Sequence, residues 1–168
     1  MIIMITGGQR SGKSLFAERL AMSLSGNPFY IATAQVFDED FRHRVDVHKQ
    51  RRGQQWTTFE EPLHVDGIRL TPENVVVFDC VTLWATNWFF ECGEDGTRAL
   101  DEMKKAFDVL VSSGAILIMV TNEIGLGGVA ENAMQRRFTD LQGSINQHIA
   151  SIADEVHFIV SGIDLKIK

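Results

Sequence analysis

The sequence predicts an α/β fold, a mostly parallel sheet with helices on both faces. Three observations predict it. Short apolar runs recur along the chain, and most are continuous rather than alternating, as in strands buried on both faces. Segments of helical period separate them. The first run leads straight into a Gly-rich loop, Gly7-Gly8-Gln9-Arg10-Ser11-Gly12-Lys13-Ser14, with a helix-like segment behind it.

The elements follow in order. Met1-Ile2-Ile3-Met4-Ile5 reads as a short buried strand, and Leu15 to Ala21 as the first turns of a helix. Pro28-Phe29-Tyr30-Ile31-Ala32-Thr33 is a second strand, followed by a charged helix from Val36 to Arg52. Val75-Val76-Val77-Phe78-Asp79 is a third strand, and Val81 to Phe90 a mostly buried helix. Arg98 to Ser112 is amphipathic, with Leu100, Met103, Phe107 and Leu110 at helical spacing. Ala115 to Thr121 is a β-branched-rich strand and Glu131 to Ala153 a long helix. Val156 to Val160 closes as a strand, and Leu165-Lys166-Ile167-Lys168 alternates like a short edge strand. Gly93-Glu94-Asp95-Gly96 and Gly125-Leu126-Gly127-Gly128 read as loops. No repeat, low-complexity tract or linker interrupts the chain, so residues 1–168 are expected to form a single domain.

The loop carries the chemistry. Its pattern is Gly, four residues, Gly, Lys and Ser, between a strand and a helix. Glycines let successive backbone N–H groups turn toward phosphate oxygens, and the helix N-terminus adds its positive dipole end. Lys13 can reach the β- and γ-phosphates, and the Ser14 hydroxyl can ligate Mg²⁺. The fold is therefore expected to be the phosphate-loop, nucleotide-binding variety of α/β, with a nucleoside triphosphate as ligand. Ligands on such sheets collect at the C-terminal ends of the strands.

Bulk properties narrow the class. The 168 residues are 45% hydrophobic and 23% charged, ordinary for a globular enzyme domain. A net charge of −6 argues against a general nucleic-acid binder. Cys80 and Cys92 form neither a disulfide framework nor a metal pattern. The N-terminal run lacks the basic leader of a signal peptide, and the Val81–Phe90 stretch is too short to span a bilayer. A cytoplasmic location is the expectation.

Asp79 ends an apolar strand, where a phosphate-loop enzyme places the carboxylate that organises Mg²⁺. The lesser alternative is the N-cap of the helix starting at Val81. Thr121-Asn122-Glu123 ends another strand at the same edge of the sheet, positioned either to handle substrate or water or to cap a turn. Between Arg42 and Arg52, seven of eleven residues are basic or histidine. Three readings fit that run: a solvated helical face, a nucleic-acid contact, or an anionic pocket wall with a histidine inside it. In the last, a neutral imidazole attacks phosphorus to form a phosphoramidate, and the flanking cations stabilise the charge that develops.

These residues, in this order, resemble the bifunctional adenosylcobinamide kinase/adenosylcobinamide-phosphate guanylyltransferase family of cobalamin biosynthesis. The resemblance runs the length of the chain. It rests on Ile5 to Ser14 with Glu18, on Tyr30-Ile31-Ala32-Thr33-Ala34, and on Arg44, His48, Lys49, Arg52, Trp56 and Glu60-Glu61-Pro62. It continues through Asp79-Cys80-Val81-Thr82-Leu83-Trp84 with Asn87, Val120 to Gly125, Gly143, Asn146-Gln147 and Val160-Ser161-Gly162. Gly53-Gln54 stands where the family often has a proline.

The resemblance implies that His48 carries GMP covalently, that the substrate is the corrinoid adenosylcobinamide, and that the assembly is a homotrimer. It makes His48 and Lys13 the catalytic pair, with GTP and ATP as nucleotide substrates and Mg²⁺ held by Ser14 and Asp79. Nucleotide contacts are expected from Gly7, Gly8, Gln9, Arg10, Ser11, Gly12, Lys13 and Ser14, from Lys49, Gln50, Arg51 and Arg52, and from Asp79. Ala32, Thr33, Ala34, Glu60 and Glu61 are candidates for the ribose and base. Two other readings share the loop, a plain small-molecule kinase and a GTPase switch. Against the switch, no Asn-Lys-x-Asp segment occurs, and the Asp140–Gly143 pattern lies late in a helix.

Overall fold

The computed structural model describes residues 1–35, 39 and 52–168. Seven strands form one sheet in the order β3-β2-β4-β5-β1-β6-β7. They are β1 (Ile2–Gly7), β2 (Phe29–Ala32), β3 (Thr57–Glu60), β4 (Val75–Asp79), β5 (Ile116–Val120), β6 (Glu155–Val160) and β7 (Ile163–Lys166). Every pairing is parallel except β6 with β7, which is an antiparallel hairpin. The mostly parallel sheet is as expected from the unbroken apolar runs.

Strand alternation divides those runs between two cores. Ile2, Met4, Ile31, Val76, Phe78, Leu117 and Met119 point to one face. There they meet helices α2 (Val81–Glu91), α3 (Gly96–Ser112) and α4 (Ala133–Ile152). Ile3, Ile5, Tyr30, Val75, Val77, Ile118 and Val120 point to the other, where Ala17 and Ala21 of α1 (Lys13–Leu24) pack. Each fully buried Ile, Leu or Phe contributes roughly 1.5–3 kcal/mol relative to exposure, so both faces hold the sheet. Trp84 is fully buried in the larger core and still donates its indole N–H to the Leu63 carbonyl at 2.9 Å. That bond removes the cost of an unmet buried donor.

Helix boundaries follow the caps. Asp95 accepts from the amides of Thr97 and Arg98, so α3 begins at Gly96, inside the segment expected to be loop. Asn132 accepts from Met134 and Gln135, which starts α4 two residues later than the periodicity suggests. Strand β3 is an element that the sequence reading missed. Thr57-Thr58-Phe59-Glu60 has one apolar side chain, and it becomes a strand because it completes the open edge of β2. The expected helix from Val36 to Arg52 lies outside the described residues, apart from Glu39 and Arg52.

The sheet also creates a crevice. After β1 the chain turns into α1 on one face. After β5, the neighbour of β1, it passes to α4 on the opposite face. Where consecutive connections leave to opposite faces, the C-terminal ends of the strands are left uncovered, and ligands bind there. Among the described residues, no helix is long and apolar enough to cross a membrane.

Candidate active site

The loop after β1 turns tightly against β6. Gly7 has φ 148°, and a Cβ there would lie 2.4 Å from the Ile159 carbonyl oxygen, so a side chain cannot be fitted. Gly12, at φ 102°, caps α1 in the left-handed region that glycine occupies without strain. The Ser11 carbonyl accepts the Gly162 amide at 2.8 Å, tying the loop to the β6–β7 hairpin. Lys13 is the first residue of α1. Its buried ammonium donates to the Gly8 carbonyl and, at 3.4 Å, to the Ser11 hydroxyl. Burial holds the Lys13 pKa below the ordinary lysine value, opposed by the negative charge of Asp79.

The opposite wall comes from β4 and β5. Asp79 ends β4 and aligns with Val120 of β5 and Ala32 of β2. Its Oδ2 accepts the Tyr30 hydroxyl at 2.7 Å. Burial, followed by the Asp79 charge, pushes the Tyr30 pKa well above its ordinary value, so Tyr30 remains a donor. The cap of α2 is Cys80, whose Sγ accepts the Leu83 amide at 3.4 Å. Asp79 is therefore free of the capping role that the sequence left open. Burial raises the Cys80 thiol to about 12, which keeps it neutral.

Arg52 lies with its guanidinium carbon 3.5 Å from the centre of the Tyr30 ring. Its Nε and Nη1 are buried with no hydrogen-bond partner among the described residues. Loop, strand ends and Arg52 surround a cleft of about 590 Å³, large enough for a nucleotide. Ser14 and Asp79 both line it. Among the described residues no group of three or more His, Cys, Asp or Glu could hold a metal. The Ser14 hydroxyl and the Asp79 carboxylate on the cleft wall are instead hard-oxygen groups of the kind Mg²⁺ takes when phosphates and water complete its shell.

Residues 3–167 match the family described as cobinamide kinase / cobinamide phosphate guanyltransferase. The chain belongs to that family. It is 39% identical, over all of both chains, to the bifunctional adenosylcobalamin biosynthesis protein CobU of Escherichia coli (strain K12). It is 38% identical to the protein of the same name from Salmonella typhimurium (strain LT2), again over all of both chains. Identity to the bifunctional adenosylcobalamin biosynthesis protein CobP of Pseudomonas aeruginosa (strain PAO1) is 38%, over 98% of this chain and 96% of that one. Among solved structures, the KaiC-like protein PH0186 of Pyrococcus horikoshii OT3 aligns with a TM-score of 0.53. That alignment covers 94% of this chain and 71% of the other at 17% identity, a likeness of fold.

Of the residues expected for a member of this family, Gln9, Arg10, Ser11, Gly12, Lys13, Ser14, Ala32, Ala34, Arg52 and Asp79 line the cleft. Gly7 does not line it; it packs against the Ile159 carbonyl of β6, and its own carbonyl accepts the Glu123 amide. Gly8 supplies the carbonyl that Lys13 grips. Thr33 lies behind the wall: its hydroxyl donates to the Cys80 carbonyl and accepts the Cys80 amide, at 2.8 and 2.9 Å. It is fully buried and latches β2 to β4, so the expected ribose or base contact from Thr33 has no side-chain group left to make it. Glu60 lines a smaller cleft of about 300 Å³ with Arg52, Gly53, Trp56 and Thr58. Glu61 accepts the Leu63 and His64 amides at 3.0 and 2.9 Å, a turn-capping task. His48, Lys49, Gln50 and Arg51 lie outside the described residues.

Tyr30, Asn122 and Glu123 also line the cleft. The reading of individual residues did not pick out Tyr30, although it is the one tyrosine in the chain. The polar triplet Thr121-Asn122-Glu123, directly after five apolar strand residues, was the available signal for the β5 wall.

Proposed function

We propose that this chain, acting as a single domain, phosphorylates adenosylcobinamide and then guanylylates the product through a covalent histidine intermediate. The observation that carries the reading is the joining of a phosphate loop, Asp79 and Arg52, whose Nε and Nη1 have no hydrogen-bond partner among the described residues, around one cleft, in a chain of this family. In the first half-reaction, Lys13 and the loop amides hold the γ-phosphoryl group of ATP or GTP and offset its charge during transfer to the cobinamide hydroxyl. Ser14 and Asp79 would hold Mg²⁺, which when bound supplies further charge neutralisation at the phosphates. Gln9, Arg10 and Arg52 contact the phosphates, and Glu60 is the candidate for the ribose or base.

In the second half-reaction, a neutral His48 nitrogen attacks the α-phosphorus of GTP. The bond to the bridging oxygen breaks, and pyrophosphate leaves. The phosphate of cobinamide phosphate then displaces the histidine and yields adenosylcobinamide-GDP. Lys49, Gln50, Arg51 and Arg52 belong to the same segment and would stabilise the pentacoordinate phosphorus. A homotrimer is part of the same reading, supported by the exposed apolar side chains of Ile163 and Leu165 on the edge strand β7.

The test separates the halves. With α-labelled GTP and Mg²⁺, wild type should acquire acid-labile, alkali-stable label and release pyrophosphate. His48→Ala should lose both and retain phosphorylation of adenosylcobinamide at least in part. His43→Ala should label normally. Label that persists in His48→Ala and vanishes in His43→Ala would reassign the nucleophile, and label unaffected by either change would refute the phosphoramidate. Absence of labelling in wild type, with phosphorylation intact, would leave a plain kinase.

A further inference from the structure

The end of β5 is held more firmly than a solvent-facing loop needs to be. Three buried side chains from other elements converge on it. Thr82 of α2 accepts the Asn122 amide at 2.9 Å, and Asn146 of α4 donates to the Asn122 carbonyl at 3.1 Å. The Thr121 hydroxyl donates to Asn146 Oδ1 at 2.7 Å. Gln142, fully buried, donates to both that hydroxyl and that oxygen at 2.9 Å. The next residue, Glu123, donates its amide to the Gly7 carbonyl at 3.0 Å. Because β5 lies between β1 and β4, this places Glu123 in the crevice between the phosphate loop and Asp79.

Glu123 and Asp79 are the carboxylates that line the cleft among the described residues. They are differently engaged. Asp79 accepts the Tyr30 hydroxyl and, with Ser14, is the group proposed above to hold Mg²⁺. Glu123 spends one oxygen on the Gly125 amide at 3.0 Å, which fixes the carboxylate plane and leaves its second oxygen without a described hydrogen bond. Among the described residues that line the cleft, Asp79 already accepts the Tyr30 hydroxyl and is assigned to the metal. Burial keeps Tyr30 and Cys80 protonated, and the Lys13 ammonium serves the phosphates.

We propose that Glu123 is the residue that orients the acceptor hydroxyl for phosphoryl transfer and accepts its proton. This inference rests on the kinase half of the function proposed above. The acceptor O–H donates to the free carboxylate oxygen, and its oxygen forms a bond to the γ-phosphorus. The bond from that phosphorus to the β–γ bridging oxygen breaks, and the nucleoside diphosphate leaves with the electron pair. The proton passes to Glu123 and then to solvent. Phosphoryl transfer depends on alignment more than on covalent help, so a base on a braced strand end suits the reaction better than one on a free loop. Thr82, Gln142 and Asn146 act through Glu123 and are positioning residues.

Glu123→Gln is the decisive variant, because its amide oxygen still accepts the Gly125 amide while the proton acceptor is removed. In the full-length protein, kcat for phosphorylation of adenosylcobinamide should fall roughly 10² to 10⁴-fold. KM for the nucleotide and the rate of GMP labelling should each stay within about threefold of wild type. Glu123→Asp keeps the carboxylate but shortens its reach, and should lose less than Glu123→Gln. Phosphorylation by Glu123→Gln within threefold of wild type would show a turn cap and overturn the assignment. So would parallel loss of nucleotide affinity and GMP labelling, which would place Glu123 on the nucleotide or its metal. A deeper loss in Glu123→Asp than in Glu123→Gln would also overturn it. Failure of the wild-type protein to phosphorylate adenosylcobinamide would instead refute the kinase reading and this step with it.

Discussion

The two walls of the cleft are built in opposite ways. The phosphate loop, residues 7–14, is contiguous, and its shape comes largely from its own backbone, with Gly7 and Gly12 at positive φ values that strain any residue with a Cβ. The facing wall is assembled from residues remote in sequence. Asp79 is oriented by Tyr30, 49 residues away, and Asn122 is held by Thr82, 40 residues away. Side chains on the first wall can be removed with the scaffold left standing. Removing supports from the second wall changes the scaffold itself, because its polar groups are buried and depend on one another.

The largest effect that would sharpen this contrast is expected at Lys13. Lys13→Ala removes the charge facing the phosphates but leaves the loop backbone in place. Both half-reactions should slow by roughly 10² to 10⁴. The melting temperature should change little, since the lost hydrogen bonds lie within the loop. Kinase turnover within about threefold of wild type would show that the loop does not act on the transferred group.

Asp79→Asn probes the first link between chain-distant parts. Asparagine can still accept from the Tyr30 hydroxyl, so the wall should stand and thermal stability should change little. Metal-dependent turnover should fall, though less than in Lys13→Ala, and rise again as Mg²⁺ is increased. Near-normal activity at ordinary Mg²⁺ would remove Asp79 from the metal pair. The capping explanation for such a result is already closed, because Cys80 caps α2.

The smallest expected effect on chemistry, and the largest on stability, is at Asn146. Asn146→Ala leaves the Asn122 carbonyl without its side-chain donor, and the Thr121 hydroxyl and the Gln142 amide each with one partner fewer. Unmet buried polar groups of this kind cost about 2 kcal/mol. For a chain of this size that lowers the melting temperature by roughly 4–8 °C. Phosphorylation should slow several-fold as Glu123 loses its bracing, while GMP labelling should hold. Unchanged stability would break the contrast between the walls.

Much of the fold was legible, for a reason that individual elements make plain. Residues 75–78 and 116–120 lie in central strands covered on both faces, so these stretches are apolar throughout, and the run itself locates them. Thr57–Glu60 was not legible, because an edge strand exposed along most of its length needs no apolar pattern. Its partner β2 determines it. At the site, Lys13, Ser14 and Asp79 were named from their place in the sequence, and all three line the cleft. Thr33 was named as well and proved to be a buried latch, because a hydroxyl beside a predicted site carries no sign of which way it faces. Glu123 was seen as one of two possibilities, and Tyr30 only as part of a resemblance.

The sequence by itself determined the phosphate loop, the alternation of strands and helices, and the family, because each is written in contiguous or ordered residues whose spacing has a local physical meaning. Tertiary structure alone decided that Cys80 rather than Asp79 caps α2, that Tyr30 orients Asp79, and that Thr82, Gln142 and Asn146 brace the end of β5. Apart from the Cys80 cap, which spans three residues, those relations are hydrogen bonds between residues 21 to 49 positions apart. Such a bond depends on strand order and on the face to which each connection departs, and no local pattern of residues encodes either.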